Sequence, residues 1–446
     1  MQAIQKFLFK KPIVLNIFYL ALIGAALAFC IWRLAGLPEQ RFDVEIYYYA
    51  IDRFNNLGIL YHRADGALAT IEFLFRPSSP IYKFPPLYLA WVVPLHHWFN
   101  IDNFYIVYCL WQLLFYLLSA VLLVLILKPY ASLKFLAMVT ALIFILSFPF
   151  YEAMRATSVE LLILCALLIT YLTSDRFPRC AGILLAYIGM IKIYPAFMLL
   201  YFIARKQWKV IDGCIYGGLF FLLLSVALFG LQENFYYLTT VLPVLMNEPI
   251  SLQGDNMNLI AGFKDYIGEE NIRPLFLVLR TIVLCILAIV CLHKRLATKE
   301  SHLLLFVFFM IIMQLLLPNY GYNYQVYLQV PAVVSLALFW RRKHYLLCAF
   351  SAVLALFLTQ NPEWIHLTAS RFIEFLAHNS SVFQSQPLEY WEALFNEKGI
   401  AVLLEISPLA YRLYWLINVQ CLLLPAYFCL ILYLLLTQER HRVSVA

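Results

Sequence analysis

Apolar stretches of near-constant length, separated by short polar ones, dominate the chain and set its scale. Residues 13–34, 104–127, 210–230 and 274–292 each approach the ~20 residues that cross a hydrocarbon core as a helix. Residues 135–150, 156–173, 303–317, 325–340, 345–358 and 414–436 continue the pattern. Backbone polar groups must be satisfied within each segment in lipid, so the runs predict helices and an all-α fold. The expectation is one polytopic integral membrane domain over residues 1–446, with roughly twelve hydrophobic segments. The first run is too long for a signal-peptide core and is expected to stay as an anchor. No sequence repeat relates two halves.

The polar stretches between the runs fix an orientation. Lys6, Lys10 and Lys11 precede the first run, and later cations gather at Lys128 and Lys134, Arg176 and Arg179, Arg205 to Lys209, Lys294 and Arg295, and Arg341 to Lys343. The positive-inside rule puts these segments, and both termini, in the cytoplasm. Residues 35–103, 231–273 and 360–412 then form extracytoplasmic segments with juxtamembrane helices. Two consecutive basic groups, near Arg179 and Arg205, are separated by one apolar stretch, 181–204. Both ends stay on one side if that stretch is a hairpin of two short helices broken at Lys192-Ile193-Tyr194-Pro195, as Pro195 favours.

Composition narrows the class. The chain is 64% hydrophobic and 13% charged with mean hydropathy +0.80, against about 25% charged for ordinary soluble domains. A soluble protein is excluded. The net charge of +7 is spread over loops in no continuous basic stripe, so nucleic acid is not an expected partner and membrane lipids are. The ten cysteines, Cys30, Cys109, Cys165 and Cys429 among them, sit in apolar runs without ligand spacing and read as small apolar residues.

The first outer loop, 41–91, is too long for a mere connection and too aromatic for disorder. Val44, Tyr47, Ile51 and Phe54 recur at helical spacing, which predicts an amphipathic helix on the membrane surface with Asp43 as its N-cap. After Pro85-Pro86, residues 87–99 are too short and too Pro- and His-marked for a span, and read as a re-entrant or surface helix.

Candidate chemistry concentrates there. Asp43 and Glu45 lie beside Tyr47, Tyr48 and Tyr49; two residues apart on a helix they do not share a face, so one acid rather than a dyad is expected. Such a carboxylate can take a proton from a sugar hydroxyl, or simply cap a helix. Lys83, with Tyr82 and Arg76 nearby, is fixed against two prolines and suits a phosphate, although an interfacial lysine on lipid headgroups has the same look. Lys192 is the sharper signal, because an ionisable residue in so apolar a region is costly and usually functional. Arg155 with Glu152 and Glu160 forms a polar patch, by default an internal ion pair. Asn256, Asn258, Asn319, Asn323 and Gln325 supply amides that could read sugar hydroxyls and are more often turn residues. There is no Walker loop, dinucleotide fingerprint, HExxH or GxSxG, which counts against nucleotide-driven transport and hydrolase chemistry.

Three pieces, FDVEIYYYA, YKFPPLYLAWVVPL and GILLAYIGMIKIYPAFMLLYFIARKQWK, resemble in order and spacing the membrane glycosyltransferases of the GT-C type, specifically glycosyltransferase family 87. The resemblance runs from the first helix to about residue 331. It implies polyprenol-phosphate-sugar-dependent transfer with inversion, a hexose donor with mannose expected, and a glycolipid or glycan acceptor outside a bacterial inner membrane. By position it gives the role of base to Asp43, with Glu45 as second candidate, and donor phosphate contact to Lys83. The family's Lys-x-x-Pro motif falls on Lys192 and Pro195. Lys192, Arg155 and Tyr82 are expected around the phosphate, and Tyr48, Glu160, Asn256, Asn258 and Asn323 around the rest of the substrates. No cofactor is implied, and one Asp-x-Glu pair makes no octahedral metal site. Two places depart from the family pattern, where PNYGYNYQ replaces a Trp and His pair and Arg155-Ala156-Thr157-Ser158 replaces a Gly-Gln-Asn patch. The readings that stand against this are a transporter or flippase of lipid-linked glycans and a polymerase or ligase using diphosphate-linked substrates.

Overall fold

A computed structural model of the protein describes residues 24, 42–61, 82, 84–246, 269–292, 298–317, 321–358 and 420–437. Among these residues 86% are helical and none lies in a strand. Most of the first apolar run, together with Lys83, Asn256, Asn258, Asn319 and the segment 360–412, lies outside the described residues.

Helix α1 (Phe42–Leu57) buries Val44, Tyr47 and Ile51 along one face, as their spacing predicts. It stops at Gly58, whose positive φ of 70° lets its N–H return to the Phe54 carbonyl at 2.8 Å. The stretch expected as a surface or re-entrant helix is a 3-10 turn, Pro86–Trp91, followed by the six-residue helix α2 (Val93–Trp98). Leu87, Tyr88, Leu89 and Val92 are buried, so most of this turn packs into the bundle. Helix α3 (Ile101–Leu127) follows an Asn100 cap whose side chain accepts from the Asn103 N–H.

The run expected as one helix over 135–150 divides at Ser147 into α4 (Leu133–Leu146) and α5 (Phe148–Arg155), bent by 48°. Pro149 opens the second piece, and the Phe148 N–H is taken up by the Leu358 carbonyl at 2.8 Å. Helix α6 (Glu160–Thr173) packs against α3.

Next comes the expected hairpin. Helix α7 (Pro178–Ile191) ends where Lys192 turns extended (φ −138°, ψ 140°), and a 3-10 turn (Tyr194–Met198) leads into α8 (Leu199–Ala204). The chain reverses, since Arg205 and Gln207 reach back to Asp175 at 3.2 and 2.7 Å. Helix α9 (Trp208–Tyr236) lies so close against α7 that a Cβ on Gly182 would come 2.0 Å from the Val210 carbonyl oxygen. Small residues permit this approach of backbones. α9 runs on past a kink at Gly230 (φ 79°) into a π turn, Tyr237–Val241, and α10 (Leu242–Met246).

The remaining helices are α11 (Glu269–Leu292), α12 (Lys299–Leu315), α13 (Gln329–Arg341), α14 (Tyr345–Phe357) and α15 (Gln420–Leu436), with a 3-10 turn, Tyr322–Leu328, between α12 and α13. α12 and α13 form the centre, buried without a break over 303–315 and 329–339, which explains why neither reads as amphipathic. Among the described residues three stretches are long and apolar enough to cross a membrane, Ile101–Leu127, Trp208–Leu245 and Glu270–Leu292, and the bent pair α4 and α5 makes a fourth. The other expected segments are shorter helices or fall outside the described residues.

Candidate active site

Four segments distant in sequence meet at one end of the bundle: the start of α1, the loop 156–159, the break after α7, and the turn before α13. The first two are joined through their backbones. The Asp43 N–H donates to the Ala156 carbonyl at 3.3 Å, and the Val44 N–H donates to Thr157 Oγ1 at 3.0 Å. Asp43 therefore lies inside the first turn of α1, which already includes Phe42, and is not the cap that its position before the apolar face predicts. Thr157 adopts a left-handed backbone (φ 52°), a strained conformation for a β-branched residue, and its hydroxyl also donates to the Ala156 carbonyl. The next residue, Ser158, accepts the side-chain amide of Asn323 at 3.2 Å. The Arg-Ala-Thr-Ser segment is thus the fastener of the site.

Asp43 is partly exposed, and the Tyr47 hydroxyl donates to its Oδ2 at 3.2 Å. Burial first, and then the neighbouring Asp43 charge, holds the Tyr47 phenol well above its ordinary pKa, so Tyr47 remains a donor. Its ring meets Phe84 edge-on at 5.5 Å and Tyr88 at 4.6 Å, and the Tyr88 and Tyr108 hydroxyls bond at 2.8 Å.

Glu160 occupies the other half. The sequence grouped it with Arg155 and Glu152, but the structure separates them. Arg155 pairs with Glu152 at 2.8 Å on a partly exposed flank, while the Glu160 side chain is wholly buried. Its Oε1 accepts from Lys192 Nζ at 2.5 Å; its Oε2 accepts from the Tyr327 hydroxyl at 2.5 Å and from the Tyr194 hydroxyl. Lys192 Nζ also stands 3.4 Å from the Tyr324 hydroxyl and lies over the rings of Phe84 and Tyr324 at 5.3 and 5.0 Å. Phe84 joins the halves, its ring meeting Tyr47 at 5.5 Å and lying under the Lys192 ammonium at 5.3 Å.

The other sequence candidates take their places around this centre. Glu45 is partly exposed, two positions along α1 from Asp43. Tyr48 packs its ring on His96 at 4.3 Å and on Phe104 at 5.6 Å. The buried Tyr82 spends its hydroxyl on the Pro85 carbonyl at 2.6 Å. Asn323 supports the loop through Ser158, as described, and Gln325 is buried. Lys83, Asn256 and Asn258 lie outside the described residues.

Sequence reading missed Thr157, Ser158, Phe84, Tyr194, Tyr324 and Tyr327. One signal for the last two was present: residues three apart eclipse one another in a 3-10 turn, so the Tyr-x-x-Tyr spacing directs both rings to one side. Chemically, the arrangement offers a partly open carboxylate with a tyrosine donor and, through the Phe84 ring that this tyrosine meets, a cation held by a buried carboxylate. Among the described residues no group of three or more His, Cys, Asp or Glu side chains could hold a metal ion.

No curated protein sequence and no solved structure matches the chain. A family model does match, over residues 82–318, and its description is glycosyltransferase family 87.

Proposed function

The chain belongs to glycosyltransferase family 87, and on that premise we propose that it moves a hexose, with mannose as the expected sugar, from a polyprenyl-phosphate donor to an acceptor hydroxyl. The acceptor is a glycolipid or glycan at the outer face of a bacterial inner membrane, and the anomeric configuration inverts. Asp43 takes the proton of the acceptor hydroxyl as its oxygen attacks the anomeric carbon from the face opposite the phosphate. The bond from that carbon to the phosphate oxygen breaks, and the polyprenyl phosphate departs with the electron pair. Lys83, Lys192 and Arg155 offset the charge that grows on the leaving group. Tyr82 contributes beside them to the donor-phosphate site. Tyr48, Asn323, Asn256 and Asn258 contribute to the sugar and acceptor contacts, and Glu45 stands second to Asp43 as base.

The observation that carries this reading is the fastening of the start of α1 to residues 156 and 157, which holds a partly exposed carboxylate whose donor, Tyr47, meets the same Phe84 ring as the Lys192 ammonium. A base and a phosphate-binding cation are the two groups such a transfer needs from the protein. The flippase reading loses its support once the family is a family of transferases, and nothing in the cluster favours a diphosphate over a monophosphate donor. The test is transfer of labelled sugar from a panel of synthetic polyprenyl-phosphate hexoses into glycolipid acceptors by purified protein in proteoliposomes. Label transferred by the wild type and lost in Asp43→Asn supports the reading and names the sugar. Absence of label from every donor, with acceptors extracted from the native membrane, overturns it.

A further inference from the structure

We propose that Glu160 is a positioning residue of the transfer reaction: it acts through Lys192, holding that ammonium between Phe84 and Tyr324 so that one N–H faces the donor phosphate. The inference rests on the transferase reading above and adds a role to a residue that the substrate itself does not need to touch.

The argument starts from the donors around one carboxylate. Glu160 is the first residue of α6 and is wholly buried, where an ion without partners is very costly. Three donors from two other segments converge on it: Lys192 and Tyr194 after α7, and Tyr327 from the turn before α13. Both oxygens are occupied, which leaves Glu160 little capacity for a sugar hydroxyl or a proton. Its effect must pass through a partner, and Lys192 is the charged one.

Lys192 is suited to receive that effect. An ammonium has three N–H donors. One goes to Glu160 at 2.5 Å, a second makes a long contact with the Tyr324 hydroxyl at 3.4 Å, and the third meets no acceptor among the described residues. The side chain keeps 12% of its surface exposed, so the group is enclosed but reachable. Rings on two sides, Phe84 and Tyr324, restrict its swing. Phe84 in turn touches Tyr47, the donor to Asp43. The cation and the tyrosine that donates to the proposed base therefore contact the same aromatic ring, which ties the two halves of the site together. A lysine on a flexible stem is a poor fixed charge; a buried carboxylate at 2.5 Å makes it one.

The rival is a purely architectural ion pair that pins the α7–α8 hairpin to α6. The two differ in what a single lost bond does to the donor. The experiment compares wild type, Glu160→Gln, Tyr194→Phe and Tyr327→Phe in proteoliposomes, measuring KM for the polyprenyl-phosphate hexose, KM for the acceptor, kcat, and the melting temperature of each purified protein. Partners that orient a functional group are worth about 10- to 100-fold, the scale known for groups behind metal ligands. The expected result is a loss of that order in kcat/KM for the donor in Glu160→Gln, with acceptor KM unchanged, and a smaller loss of the same kind in each phenylalanine variant. Unchanged donor kinetics in the phenylalanine variants that remain folded, or equal changes in donor and acceptor KM, overturn the inference even if Glu160→Gln fails to fold. Wild-type transfer with unaffected variants removes this inference alone; no transfer by the wild type removes the functional reading as well.

Discussion

Asp43 and Glu160 both stand in the first turn of a helix at the same end of the bundle, and the molecule treats them in opposite ways. Glu160 is wholly buried, with a lysine and two tyrosines donating to its oxygens. Asp43 keeps part of its surface open and receives the Tyr47 hydroxyl at a longer 3.2 Å. A carboxylate enclosed by donors serves as a fixed charge. One left partly open can still exchange a proton with a molecule that arrives. The contrast assigns the two acids different work although their residue types are nearly interchangeable.

The sharpest way to break that contrast is Asp43→Asn, which removes the proposed base at almost constant volume. A fall in kcat of about 10²- to 10⁴-fold is expected, with normal insertion and melting, in the liposome transfer assay. A wild-type rate in that variant would hand the role to Glu45. Lys192→Met should act on stability instead: leaving one member of a buried pair alone costs about 3–5 kcal/mol. Thermal unfolding in detergent checks it, and the double variant Lys192→Met with Glu160→Gln should recover much of the loss because no bare charge remains. Thr157→Val deletes the acceptor of the Val44 N–H and leaves a buried donor unsatisfied, at about 1–3 kcal/mol. Hydrogen exchange at Val44 should quicken while exchange within α12 stays slow. The smallest effect is expected from Tyr47→Phe, which loses one hydrogen bond to Asp43, about 1 kcal/mol or several-fold in kcat. Loss as large as that of Asp43→Asn would make the tyrosine itself part of the proton transfer.

Most of what hydropathy encodes could be read from the chain. The lengths of α3 and α11, the buried face of α1 and the helix break at Lys192 to Pro195 each follow from local composition or from proline. The bend at Ser147 was hidden, because the stretch stays apolar on both sides of it while Pro149 and the Leu358 carbonyl redirect the backbone. The continuation of α9 past Gly230 was hidden for a related reason: glycine reads as a stop, and here it supplies a kink. In the site, Lys192 stood out as a charge in apolar surroundings, and Asp43 by its place after the first apolar run and by the family resemblance. Their partners did not. Glu160 lies 32 residues from Lys192, and Tyr327 lies 167 residues from Glu160, separations that carry no periodic signal. Glu160 was even drawn toward the wrong neighbour, Arg155, by closeness in sequence.

Those separations also order events in time as the protein is made. At about 5–20 residues per second, roughly 2–6 s pass between synthesis of Glu160 and of Lys192, and about 8–33 s before Tyr327 exists. For that interval the nascent bundle carries a carboxylate whose last donor is not yet built, so completion of the cluster waits on the last third of the chain.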